Sequence, residues 1–483
     1  MNQELLEFDK KQERRNENNK IKNKPIVFIT YITVLVFLGM FGYLIYFQVL
    51  KAKDIVGNSS NLRLDNMSKY VTRGEIRTSD GTVIAETRID DYGEEVRYYP
   101  YGSLFCHAVG YNNYDKAGLE LSQNFSLLTT NVNIIERVKN DLAGLKNPGD
   151  NVITTLNYDL QTAAKDALSD CKGAVVAIEP STGKILCMYS NPSFDPNEID
   201  SVWDYVHSDE GKDSTVLLNR VTQGLYAPGS TFKVITALEY MRENPSDYNN
   251  YSYTCNNTDY FTGVEISCHD GVVHGEVNLK DSLAYSCNTS FANIGSGLDI
   301  SQFRNTCDSL YFNKKLPFEN VSKSSFTLTS LSDKSEVPQT AIGQGNTEVT
   351  PLHNALIMAT IANGGVMMKP MMVDRIENAD GALVKKYNPE VCETLMTVSE
   401  AEELKNLMSG VTDYGTAAWR FNGTSIVGKT GTAEYDSEGH CNSWFSGFDT
   451  NKDIVVCCIV ENSDSNGLTG VEVAGRVFDA YQE

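Results

Sequence analysis

Residues 26–50, IVFITYITVLVFLGMFGYLIYFQVL, contain no charged side chain. At about 1.5 Å rise per residue, this run exceeds the roughly 20 residues that a bilayer core requires. Tyr31, Tyr43 and Tyr46 are suited to the two membrane interfaces. A cleaved signal peptide would carry an apolar region of about 7–15 residues followed by a small-x-small site. This run is longer, and Gln48-Val49-Leu50-Lys51 offers no such site. A buried core helix is the remaining alternative. The run reads as an uncleaved anchor. Lys10, Lys11, Arg14, Arg15, Lys20, Lys22 and Lys24 precede it, whereas only Lys51, Lys53 and Arg63 follow closely. That asymmetry predicts a cytoplasmic N-terminus and everything from Lys51 onward outside the membrane.

The 483 residues, 41% of them apolar, suffice for two or three domains with real cores. The formal net charge is −22, and the basic tail makes the remainder more acidic still. Such a surface argues against nucleic acid as a partner. All eleven cysteines lie beyond residue 100. Their odd number leaves at least one without an intramolecular partner. Cys255 and Cys268 bracket a short polar loop and are the best disulfide candidates. Cys187, Cys457 and Cys458 sit in apolar runs and read as small core residues. The six histidines lack metal-ligand spacing. His269 and His274 near Cys268 form the one cluster, and neither metal nor cofactor is expected.

Residues 51–147 alternate short strand-like stretches with turns, among them Thr82–Ala85 and Glu95–Tyr99, which suggests a small β-rich module. Asn147-Pro148-Gly149-Asp150 marks a break. Beyond it, 151–155 reads as a strand and 159–170 as a helix. Residues 174–178 and 184–189 read as strands joined by the turn Pro180-Ser181-Thr182-Gly183. From 230 to about 420 the pattern is mostly helical. Strands at 425–434, 443–448 and 454–461 and a helix at 472–481 close the chain. Early and late strands around a helical middle predict an α+β fold, with one antiparallel sheet assembled from both ends.

Three short patterns occur in order: Ser230-Thr231-Phe232-Lys233, Ser286-Cys287-Asn288 and Lys429-Thr430-Gly431. Each is cheap alone, and Ser-x-x-Lys recurs at Ser169/Lys172 and Ser181/Lys184. The second decoy lies on the predicted hairpin turn. Ser230 opens a helical pattern in which Val234, Ala237, Leu238 and Met241 share a face and Pro245 ends the run. Residues at i and i+3 are neighbours, so Lys233 Nζ is expected to reach Ser230 Oγ. A serine needs a base, and a buried lysine loses its proton readily enough to serve. A serine N-cap before a surface lysine would read the same way. Ser286 and Asn288 follow a helical stretch, where a hydroxyl could relay a proton and an amide could hold a carbonyl. Lys429 and Gly431 share a strand face. The lysine offers charge to a substrate carboxylate, and the glycine lets a peptide come close. The N–H groups of Thr432 and Ser230 could form an oxyanion hole.

Longer segments carry a resemblance. YAPGSTFKVITAL (226–238), the stretches 173–197, 268–295 and 341–365, and VGKTGTAE (427–434) resemble penicillin-binding transpeptidases. TRGEIRTSDGTVIAET (72–87) and AGLELSQN (117–124) are similar to the N-terminal region of class B members. The resemblance implies a β-lactamase-like transpeptidase fold, an antiparallel sheet flanked by helices. It divides the chain into a cytoplasmic tail (1–24), a transmembrane helix (25–50), an N-terminal module (51–147) and a transpeptidase domain (148–483). It further implies a peptidoglycan D,D-transpeptidase acting on stem peptides and binding β-lactams covalently. Ser230 would be the nucleophile, Lys233 the base, alone or as part of an assisted pair, and Ser286 the proton relay. Asn288, Thr430, Gly431 and Thr432 would bind substrate, with Lys429 as electrostatic anchor.

The departures are informative. Cys287 stands where class A β-lactamases have Asp, and their Glu-x-x-Leu-Asn is absent. About 100 residues ahead of the transpeptidase region cannot hold a glycosyltransferase, so a separate membrane glycosyltransferase partner is implied. Arg77-Thr78-Ser79-Asp80-Gly81 departs from the family's usual Asp-Arg-Asn-Gly run. A D,D-carboxypeptidase or β-lactamase is the hydrolytic alternative. A β-lactam sensor or wall-synthesis scaffold is the non-enzymatic one.

Overall fold

The computed structural model describes residues 2–48, 67–435 and 439–481. The close of the expected anchor at 49–50, the basic residues Lys51, Lys53 and Arg63, and the start of the N-terminal module lie outside the described residues. The chain divides into two units, Met1–Asp65 and Asn66–Glu483.

The described part of the first unit is built on one helix, α1 (Asn2–Tyr46). It continues through the charged tail into the apolar run, with Pro25 near the change of character. Every side chain described from 26 to 48 is exposed. Its apolar part is long and apolar enough to cross a membrane.

In the second unit, continuous apolar runs build the central sheet. Strands β1 (Gly173–Glu179), β2 (Lys184–Asn191), β3 (Ile426–Glu434), β4 (Cys441–Asp449) and β5 (Val455–Val460) pair throughout as antiparallel neighbours in the order β3-β4-β5-β1-β2. The expected sheet from both chain ends is therefore present. Ser181 and Lys184 fall on the β1–β2 turn, as expected. β5, VVCCIV, is buried at every position because both faces are covered. Cys187, Cys457 and Cys458 are fully buried within this core. α2 (Tyr158–Leu168) and the last helix (Gly470–Ala480) pack together, and the last helix lies on β4 and β5. The helix Pro351–Ala362 packs against β1, β4 and β5. Its first eleven residues are buried, as an all-round apolar helix must be.

The middle of the chain contains more strand than its sequence pattern implies. Ser252–Cys255 pairs with Gly275–Asn278, and Thr258–Phe261 pairs with Val264–Ser267. Further strands lie at Val366–Met368, Val373–Glu377, Leu383–Lys386 and Val391–Thr394. Their lengths are three to five residues, too short for a clear alternation, and exposed apolar residues such as Leu383, Val384 and Val391 blur it further.

A six-stranded sheet runs across the break at 147–150. Asn151–Thr154 pairs with Ile76–Arg77 on one side and with Val373–Glu377 on the other. Beside this sheet Glu120 is fully buried between two guanidiniums. Arg73 Nη2 lies 2.5 Å from Oε2, and Arg97 Nε lies 2.6 Å from Oε1. Arg73 and Glu120 belong to the two N-terminal segments, 72–87 and 117–124, that carry the class B resemblance.

Candidate active site

Ser230 stands in a single 3-10 turn, Gly229–Phe232, that runs into α3 (Lys233–Glu243). The expected helix therefore begins at Lys233, one turn later than its apolar spacing suggests. Four contacts fix this turn. Gly229 N–H donates to Gly343 O at 3.0 Å. Trp444 Nε1 donates to Ala227 O at 3.1 Å, and Thr231 Oγ1 to Pro228 O at 2.8 Å. Asn354 Nδ2, on the buried helix, donates to Thr231 Oγ1 at 3.2 Å. Phe232 is clamped by Phe303, Phe312 and Phe326. Gly229 has φ +53°, and a Cβ there would lie 2.6 Å from Thr432 O, so the turn and β3 can meet only through glycine.

Lys233 is 0% exposed. Its Nζ donates to Asn288 Oδ1 at 2.6 Å, to Ser286 O at 2.7 Å and to Ser286 Oγ at 3.2 Å. Among the described residues no hydrogen bond joins it to Ser230. The i, i+3 spacing brings the two onto one turn, but the lysine points on to the middle motif. Burial lowers its pKa to about 7.

Ser286 lies between α4 (Leu279–Ala284) and α5 (Asn288–Gly297), with φ +56°. This strained corner, held by Cys287 N–H donating to Ser282 O at 2.9 Å, turns the Ser286 side chain back toward both lysines. Asn288 Nδ2 donates to Ser267 O at 2.9 Å, tying the motif to the hairpins.

Lys429 is also 0% exposed. Its Nζ donates to Ser286 Oγ at 2.9 Å and to Thr430 O at 3.0 Å. Burial, and then the neighbouring Lys233, push its pKa well below the usual lysine value. Lys429 is not among the residues that line the cleft, and its amine reaches the cleft wall through Ser286 and Thr430. Thr430 and Thr432, on the other face of β3, do line it. Gly431 borders the cleft as expected and has a second part. A Cβ there would meet Trp444 Cβ at 3.0 Å and Pro228 O at 3.1 Å, so its missing side chain admits the Ser230 turn itself.

All three motifs border one cleft of about 970 Å³, with Ser230, Ser286, Asn288, Thr430 and Thr432 on its wall. Tyr285, Thr416 and Trp419 line it too and were not expected from the motifs. Thr416 Oγ1 lies 2.7 Å from Thr430 Oγ1, which orients the threonine. No local pattern marks Thr416, because it reaches the site only through the tertiary fold.

Cys255 and Cys268 do not form the expected disulfide. Their Sγ atoms are 3.6 Å apart, beyond the roughly 2.05 Å of an S–S bond.

A partly exposed serine, two buried amines of lowered pKa on one hydroxyl, and an open cleft can activate a nucleophile and shuttle its proton. Residues 173–482 match the penicillin binding protein transpeptidase domain, and residues 73–152 match the penicillin binding protein A dimerisation domain. The chain belongs to the penicillin-binding protein transpeptidase family. It is 28% identical to the peptidoglycan D,D-transpeptidase PbpA of Mycolicibacterium smegmatis, over 89% of this chain and 92% of the relative. The imipenem acyl-enzyme complex of penicillin-binding protein A from Mycobacterium tuberculosis superposes with a TM-score of 0.75 at 27% identity, covering 85% of this chain and 99% of that one. The D,D-transpeptidase domain of a peptidoglycan glycosyltransferase from Eggerthella lenta gives 0.75 at 28%, covering 85% and 98%.

Proposed function

We propose that this chain is a membrane-anchored peptidoglycan D,D-transpeptidase working through a Ser230 acyl-enzyme. The observation that carries the reading is the shared Ser286 hydroxyl, which accepts from Lys233 and Lys429 beside the Ser230 turn. Lys233, neutral in part near pH 7, takes the Ser230 proton as Oγ attacks the carbonyl of a stem peptide ending in D-Ala-D-Ala. The Ser230 N–H and an outward N–H of the edge strand β3 at Thr432 receive the oxyanion. Ser286, poised between the lysines, passes the proton to the departing D-Ala amine. Thr430 and Thr432 receive the terminal carboxylate, and Lys429 acts through Ser286 and the local field. Asn288 orients Lys233 and the substrate amide. An amine from a neighbouring strand then takes the acyl group.

In this reading residues 1–24 are cytoplasmic, 25–50 span the membrane, 51–147 form the N-terminal module and 148–483 the transpeptidase domain. A separate membrane glycosyltransferase supplies the glycan strands. The test is labelling of the detergent-solubilised chain with fluorescent penicillin, followed by peptide mapping and by exchange of D-Ala in a synthetic stem peptide for a labelled D-amino acid. Both are expected on wild type and neither on Ser230→Ala. Label at another serine, or exchange that survives the substitution, overturns the reading.

A further inference from the structure

Three cysteines and a histidine meet directly behind the middle motif. Cys268 Sγ lies 3.6 Å from Cys255 Sγ and 3.8 Å from Cys287 Sγ, and Cys255 Sγ lies 3.4 Å from His274 Nδ1. All four ligand atoms fall within 4.8 Å of one another. A tetrahedral zinc ion with Zn–S near 2.3 Å and Zn–N near 2.0–2.1 Å implies S···S edges of about 3.8 Å and S···N edges of about 3.6 Å. The three edges Cys255–Cys268, Cys268–Cys287 and Cys255–His274 match those values within about 0.2 Å, and the other three lie within 4.8 Å, so binding draws the four ligands together.

Buried thiols can simply be small core residues, as Cys457 and Cys458 are. The setting here is different. Cys255, Cys268 and Cys287 form a buried cluster separate from the main core, with Tyr253 packed against both. Thr289, fully buried, places its Oγ1 3.3 Å from Cys255 Sγ, 3.5 Å from Cys287 Sγ and 3.7 Å from Cys268 Sγ, where a hydroxyl would support thiolate ligands. The His274 ring lies parallel to that of Tyr285, which limits its rotation. The surrounding segment, 252–278, holds two two-stranded sheets in whose strands Cys255, Phe261, Ile266 and Val277 alone are buried, a small apolar anchor for such short pairs.

We infer that Cys255, Cys268, His274 and Cys287 bind one zinc ion that staples the 252–278 hairpins to the Ser286-Cys287-Asn288 corner. Three thiolates and one imidazole favour zinc over harder cations. Each thiol releases its proton to solvent as the metal binds. No open position is left for a substrate, so the ion is structural. Its effect on chemistry is indirect: Cys287 is flanked by the two residues that hold Lys233, and the staple keeps their hydroxyl and amide in place.

The test uses the full chain, solubilised in detergent and purified with its thiols reduced and without chelators. Elemental analysis is expected to find close to one zinc per chain. Cobalt(II) exchanged into the site should give thiolate-to-cobalt charge transfer and the visible bands of a tetrahedral ion. Cys268→Ser should lose the metal, whereas Cys392→Ser, outside the cluster, should keep it. Should Cys268→Ser fail to fold, chelation of the wild type serves instead: stripping is expected to lower the melting temperature, and added zinc to restore it. Reduced wild-type chain that takes up no zinc from excess overturns the inference. So does a Cys255–Cys268 disulfide in protein extracted from its native membrane, or bound iron in place of zinc. Metal content is read without substrate, so its failure would leave the transpeptidase reading standing.

Discussion

Arg73, Arg97 and Glu120 bury three ionisable groups in the N-terminal region, and Lys233 and Lys429 bury two behind the cleft. In the first set each charge faces its opposite. Burial pushes the Glu120 carboxyl up, and the two guanidiniums more than offset it, leaving it below the usual value. In the second set two like charges share one hydroxyl, with carbonyls and an amide as further acceptors and, among the described residues, no carboxylate bonded to either amine. At Lys429 burial and the neighbouring Lys233 then act in the same direction. The paired set serves structure at little chemical potential for proton transfer. The like-charged set costs stability and leaves an amine that can accept a proton near neutral pH. Losses in the two regions should accordingly appear in different measurements.

The largest effect is expected at Lys233. Lys233→Met should slow penicillin acylation about 10²–10⁴-fold, the range of a lost general base, without lowering the melting temperature. A pH signature accompanies it. The folded value is about 7 against 10.5 for the exposed group, so between those values the unfolded chain binds more protons. Folding stability should rise with pH across that window, and Lys233→Met should flatten the rise. A marked loss of stability in this variant would break the contrast. Glu120→Ala should do the reverse, costing about 3–5 kcal/mol in urea unfolding because two buried guanidiniums lose their partner. The molecules that remain folded should acylate at the wild-type rate. A smaller kinetic loss is expected for Lys429→Gln, about 10- to 100-fold in the second-order acylation rate, or about 1.5–3 kcal/mol for one charge-assisted contact. Its circular dichroism should be unchanged. The calibrating case is the partly exposed Arg77–Glu75 pair. Arg77→Ala should change stability by less than about 1 kcal/mol and leave acylation alone, which would show that burial, not ion pairing as such, sets the Glu120 result.

Much of this contrast was legible in the residues. The central sheet could be read because β1 and β5 are nearly unbroken apolar runs bounded by turns. The three motifs could be placed because each sits where an element begins, ends or alternates. The orientation of single side chains could not. Helical spacing puts Lys233 beside Ser230 without saying that its amine continues to Ser286 and Asn288. Strand alternation puts Lys429 and Gly431 on one face without saying that the lysine amine turns to Ser286 while the glycine borders the cleft. The 252–278 hairpins escaped notice because they carry little core. Cys255, Cys268 and His274 stand out in the sequence as a disulfide candidate and a histidine cluster, but their spacing fits no metal-ligand pattern, and Cys287 joins them only after those hairpins fold.

In the central sheet β1 pairs with β2 on one side and with β5 on the other, and residues 180–454 separate β1 from β5. A ribosome delivers β1 and β2 early, so one edge of that hairpin stays bare while most of the domain is still being made. Until β5 docks, β4 has no neighbour on that side and β3 has no sheet to extend, so Lys429 cannot approach Ser286. Such distant pairing is slow to form and exposes sticky intermediates in the interval. The nascent protein is thus inert toward its substrate until nearly the last strand is made, and the waiting edge of β1 is where a chaperone would be needed most.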